Sequence, residues 1–124
     1  MRGTLLLLEQ GRPAPADADL LRANGLIVHQ HHDLAQALNQ FQQTTPDVVV
    51  VASDPDTSTI VTELRSRTDH ATSIIVASSS GNREAVRASG ADSFLPDSAT
   101  SAELLDEIHR ALILRRSGRR LSWR

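Results

Sequence analysis

The sequence predicts a single α/β domain, a parallel sheet covered by helices on both faces. Three observations carry that expectation. Short apolar runs alternate with longer amphipathic stretches, five times in 124 residues. The apolar runs are continuous, as strands buried on both faces require. The connections are a few residues long, which suits repeated strand–helix units. The length allows one domain with a full core and not two.

Each element has its own signal. Thr4–Leu8 is an aliphatic run read as the first strand. Residues 14–23 read as a helix with Leu20 and Leu21 inward, stopped by Asn24-Gly25. Leu26–Val28 is the second strand. Asp33 caps a helix whose Leu34, Leu38 and Phe41 share one face. After Pro46, Val48–Val51 is the clearest strand, four consecutive β-branched residues. Thr57–Arg67 is helical with Ile60, Val61 and Leu64 inward, and Ser73–Ala77 is the fourth strand. Asn82–Ser89 is a short helix stopped by Gly90, and Ser93–Leu95 is the fifth strand. Thr100 and Glu103 have capping-box spacing before Leu104, Leu105, Ile108 and Leu112, which lie on one stripe.

Composition excludes several kinds of chemistry. There is no cysteine, hence no disulfide, thiolate nucleophile or Cys-ligated metal. The aromatic residues are Phe41, Phe94 and Trp123, too few for a base-stacking platform. All 13 basic residues are arginine, so Schiff-base and phosphate-reading lysines are excluded. Residues 1–114 carry 8 Arg against 15 acids, a balance of −7. Residues 115–124 carry 5 Arg and no acid. The expected division is therefore a domain over 1–114 and a basic tail or linker over 115–124. Leu5–Leu8 is too short for a signal-peptide core or a membrane span, and a cytoplasmic protein is expected.

In a parallel sheet the functional crevice lies at the carboxyl ends of the strands. That places attention on Glu9-Gln10, His29–His32, Ala52–Asp56, Ser78–Gly81 and Pro96-Asp97. His29 and His31 share a strand face at i, i+2 beside His32, a spacing that can hold zinc or copper, with Glu9 as a further weak candidate. A polar strand end is the favoured reading, and no metal site is expected. Ser78-Ser79-Ser80-Gly81-Asn82-Arg83, where a strand meets a helix, could hold an anion, but helix capping by Ser80 or Asn82 is the favoured reading. There is no G-x-S-x-G elbow for a hydrolase and no glycine-rich loop after the first strand for a nucleotide.

Three segments together resemble the receiver domain of two-component response regulators (CheY-like) over roughly residues 3–114. They are Leu5–Leu8 followed by Glu9, Pro46-Asp47-Val48-Val49-Val50-Val51, and Gly90-Ala91-Asp92-Ser93-Phe94-Leu95. The resemblance implies a flavodoxin-like three-layer α/β/α sandwich with strand order 2-1-3-4-5. It also implies a chemistry: an acidic pair and a third-strand aspartate holding Mg²⁺, the aspartate accepting a phosphoryl group, with a Ser/Thr and a lysine contacting its oxygens. Laid on this sequence, Glu9 matches the first acid and Gln10 replaces the second. Ala52 occupies the phosphoacceptor position, Ser78 matches the Ser/Thr, Phe94 fills the aromatic switch position, and Asp97 stands where the lysine belongs. A pocket reduced to Glu9, Gln10, Asp54 and Asp56 should bind metal weakly. The expected reading is a pseudo-receiver: no enzyme, no cofactor, acting through protein contacts.

Two alternatives stand beside it. Asp54, two residues past the expected slot, could serve as a displaced phosphoacceptor. The chain could also be another flavodoxin-like ligand-binding domain. The expected partner is a protein or a downstream output domain, with a homodimer through the fourth helix, fifth strand and fifth helix as a further option. That face comprises Asn82–Ser89, Phe94 and Glu103–Leu114. No membrane contact is expected, nor nucleic acid binding by this domain alone. The arginine tail is read as a linker in preference to a charge-only binding patch or a segment folded onto the acidic body.

Overall fold

The computed structural model describes residues 1–53, 57–68, 71–78, 83–96, 98–119 and 121. The elements alternate as β1 (Gly3–Gln10), α1 (Ala18–Ala23), β2 (Leu26–His31), α2 (Leu34–Gln43), β3 (Val48–Ser53), α3 (Thr57–Arg67), β4 (Ser73–Ser78), α4 (Arg83–Ala88), β5 (Ser93–Pro96) and α5 (Ser101–Arg116). All strand pairs are parallel, and the order is β2-β1-β3-β4-β5. The architecture and strand order are those expected.

Strand parity sorts the core into two layers. Leu5, Leu7, Val48, Val50 and Ile75 pack with Leu21 of α1 and Leu104 and Ile108 of α5. Leu6, Leu8, Val49, Val51, Ile74 and Val76 pack with Ala37, Ile60, Leu64 and Val86 of α2, α3 and α4. Every residue of β3 and β4 is buried. At about 1.5–3 kcal/mol for each fully buried aliphatic side chain, these two strands supply a substantial share of the apolar driving force, alongside β1 and the inward faces of the helices. No helix among the described residues is long and apolar enough to cross a membrane.

Boundaries differ from expectation at several ends. α1 begins at Ala18, because Asp17 accepts a hydrogen bond from Leu20 N and caps it. The inward pair is therefore Ala18 and Leu21, and Leu20, expected inward, is exposed. β1 and β2 run longer than expected, so Glu9, Gln10, His29 and His31 are strand residues with fixed facing. The Thr100–Glu103 capping box forms as expected.

The amino ends of the strands are tied together by two aspartates. Asp47 Oδ2 accepts from Thr4 N at 2.9 Å and Oδ1 from Arg115 Nε at 2.6 Å, joining β1, β3 and α5. Asp92 Oδ2 accepts from Ile74 N at 2.8 Å and pairs with Arg65 Nη2. Arg65 also donates to the carbonyls of Gly90 and Thr72. The Arg65 side chain lies against Gly90, where φ is +115° and a Cβ would sit 2.9 Å from Arg65 Cγ.

α5 continues past Leu114, the expected domain edge, to Arg116 and closes in a Schellman motif. Gly118 N donates to Arg115 O at 3.0 Å and Arg119 N to Leu114 O at 2.8 Å, with Gly118 at φ +73°. The chain then returns, and Leu121 is buried in the α1/α5 layer. Arg115 is an anchor to Asp47, so the basic segment does not leave the domain at residue 115. Gly118→Ala has no steric obstacle, since nothing lies within 4 Å of the added Cβ. Its expected cost is about 1 kcal/mol, from the left-handed backbone alone, read as a lowered thermal unfolding midpoint.

Candidate functional site

The carboxyl edge of the sheet is built by register. Glu9 pairs with Ala52 across β1 and β3, and Gln10 with Ser53. Ala52 pairs with Ala77 across β3 and β4, and Ser78 with Pro96 across β4 and β5. Ala52 is fully buried, with no oxygen to offer.

Glu9 sits on the α1/α5 face, and both of its carboxylate oxygens are engaged. Oε2 accepts from Ala14 N at 2.8 Å and Oε1 from Gln30 Nε2 at 2.6 Å. The carboxylate thus braces the β1–α1 loop against β2. His29 and His31 pair with Leu6 and Leu8, so parity puts them on the opposite face. The structure does not bring Glu9, His29 and His31 together as a ligand set. His32 Nδ1 lies 3.3 Å from the backbone carbonyl of Glu9, not from its carboxylate. Among the described residues no three His, Cys, Asp or Glu side chains form a metal-holding group.

On the α2/α3/α4 face the same edge carries a row of polar side chains: His31 of β2, Gln10 of β1, Ser53 of β3 and Ser78 of β4. Ser53, Ser78 and Thr57, the first residue of α3, form a buried hydroxyl chain. Thr57 Oγ1 donates to Ser53 O at 2.9 Å and accepts from Ser53 Oγ at 3.1 Å. Its one proton being used, the 3.4 Å contact with Ser78 Oγ takes its proton from Ser78. These hydroxyls hold the β3–α3 junction to the end of β4. Beside them, Gln10 Oε1 and His31 Nε2 are buried without a hydrogen-bond partner. Such atoms are uncommon in folded chains and mark a place for water.

Phe94 lies half-buried on β5, paired with Val76 and packed against the α2/α3/α4 layer. Asp54, Asp56, Asp97, the stretch 79–82 and Trp123 lie outside the described residues. The reading from sequence missed the roles of Ser53 and Thr57. Their i, i+4 spacing across a strand–helix junction was the available signal, and their link to Ser78 needed the register.

No model of a known protein family matches the sequence, and no curated protein matches it. Solved structures do. NtrX from Brucella abortus, solved in complex with ADP, matches over 95% of this chain and 29% of its own, at 18% identity and a TM-score of 0.73. The chemotaxis response regulator CheY4 of Vibrio cholerae matches over 89% of this chain and 98% of its own, at 16% identity and 0.70. The signal receiver domain of a modulated diguanylate cyclase from Desulfovibrio desulfuricans matches over 94% and 98%, at 19% identity and 0.73. The fold is that of a response-regulator receiver domain. This chain spans less than a third of NtrX and nearly all of the other two. At these identities the likeness is one of fold.

On the receiver frame the positions divide by location. Asp47 and Asp92, which belong to the segments that carry the resemblance, lie at the amino ends and hold strands and helices together. The described positions at the carboxyl ends, where receivers do chemistry, hold Ala52, an engaged Glu9, Gln10 and a hydroxyl chain.

Proposed function

We propose that this chain is a receiver-like signalling module that acts through protein contacts and does not depend on phosphorylation. One observation carries the reading: the residue in the phosphoacceptor register is Ala52, fully buried between Glu9 and Ala77. Two facts support it. Both oxygens of Glu9 are engaged, and the chain contains no lysine to neutralise a phosphoryl group. A site with those properties offers neither acceptor nor counter-charge.

The contact surface in this reading is the face of α4, β5 and α5, including Phe94, and it serves a partner protein, a second copy or a downstream output domain. Receiver domains beside other domains are represented among the structural neighbours by the receiver of a diguanylate cyclase. In this reading the module is not itself an enzyme, needs no cofactor and works in the cytoplasm.

The test is treatment with acetyl phosphate and Mg²⁺ followed by intact-mass measurement. The expected result is an unchanged mass. A gain of one phosphoryl group overturns the proposal, and its loss in Asp54→Asn assigns the acceptor to that aspartate.

A further inference from the structure

The amino end of the sheet, beside the last turns of α5, keeps cations that the fold does not use. Arg115 is neutralised by Asp47, whose other oxygen is taken by Thr4 N. Arg2 and Arg116 make no ion pair among the described residues. Both line the same two adjoining clefts, with Leu112 common to the two floors. Met1 and Ile113 stand at the rim of one cleft, 37% and 47% exposed. Two segments from opposite ends of the chain, Met1-Arg2 before β1 and the last turns of α5, therefore converge on an aliphatic floor flanked by two guanidinium groups.

We propose that this cleft docks an acidic segment of a partner protein in which a carboxylate lies beside an aliphatic side chain. A guanidinium accepts a carboxylate through paired N–H donors. Arg2 and Arg116 would take the acid, while Leu112, Met1 and Ile113 bury the neighbouring aliphatic group. Charge complementarity selects an acidic partner, because the one acid in the lining, Asp47, is already consumed. The aliphatic floor selects a protein over a nucleic acid. Two free cations neutralise about two phosphates, a small part of what nucleic-acid affinity requires, and the lining has no Phe, Tyr or Trp ring for stacking, His109 being its one ring.

The experiment uses the full chain and a fluorescein-labelled peptide alternating glutamate with leucine, read by anisotropy. Comparators are a polyglutamate peptide of equal length, duplex DNA and phosphatidylserine vesicles. The glutamate–leucine peptide should bind in preference to all three. The double variant Arg2→Glu/Arg116→Glu should weaken it by about tenfold, Ile113→Ser should weaken it too, and Arg67→Glu, an exposed reversal on α3, should leave it unchanged. Absence of peptide binding overturns the proposal. So does equal binding of polyglutamate, preference for DNA or vesicles, or equal loss in Arg67→Glu. The readout is independent of phosphorylation, so its failure and that of the receiver reading are separate results.

Discussion

Asp92→Ala should destabilise the domain by about 3 kcal/mol, seen as a lowered midpoint in urea unfolding. One carboxylate oxygen of Asp92 serves both the Ile74 amide and the Arg65 guanidinium, and the two side chains are only 7% and 16% exposed. Alanine leaves the fully buried Ile74 N–H without its acceptor and takes away a buried counter-charge from Arg65. The loss reaches further than one pair, because Arg65 also ties the end of α3 to the carbonyls of Gly90 and Thr72. An exposed ion pair would contribute well under 1 kcal/mol. A midpoint unchanged in the variant would show that Asp92 is no more than that. Asp92→Asn retains an acceptor for Ile74 N and should lose less.

Ala52→Asp should lose about 3 kcal/mol at neutral pH and still take up no phosphoryl group from acetyl phosphate and Mg²⁺. The new carboxylate would enter a fully buried position beside Glu9, whose oxygens are already engaged. Desolvation and a neighbouring like charge both disfavour the ionised form, so the folded state raises its pKa above the unfolded value. The sign follows. Below the unfolded carboxyl pKa the group is neutral in both states and this penalty is absent. As pH rises through about 4 and onward to 7 the penalty grows, so the gap between wild type and variant widens. Urea unfolding at about pH 4 and about pH 7 measures it. Undiminished stability together with a phosphoryl mass gain would mean that the pocket is otherwise intact and that Ala52 alone silences it, which overturns the supporting argument from Glu9 and the missing lysine.

Much of the fold was legible because its signals are local. Thr57–Arg67 matches its expected range, Asp33 and Thr100 cap where their spacing says, and Val48–Val51 lies in a fully buried strand. The receiver resemblance was legible for a related reason. Pro46-Asp47 and Gly90-Ala91-Asp92 perform joinery that the fold itself requires: Pro46 O accepts from Thr72, Asp47 joins β1 to α5, and Asp92 joins β4 to α3. Such residues are required by the fold whatever stands at the other end of the strands. α1 was misread because proline and alanine around residue 15 mimic a helix start, while Asp17 supplies the actual cap.

By itself the sequence determined what this chain cannot contain: no lysine anywhere and no cysteine. Those are covalent facts, and no arrangement of the chain alters them. Only the tertiary structure decided what the remaining groups are doing. Glu9 reads as half of a metal site until Ala14 and Gln30 are seen to occupy both its oxygens. Ser53 and Thr57 are unremarked hydroxyls, and Ser78 only the match to the Ser/Thr position, until register joins them. The arginine-rich end reads as a departing tail until Arg115 meets Asp47, 68 residues away, and Leu121 enters the core. The physical reason is that a hydrogen bond or an ion pair depends on which strand lies beside which, and on parity within each strand. A one-residue change of register would send the strand side chains among them, Glu9, Ser53 and Ser78, to the other face.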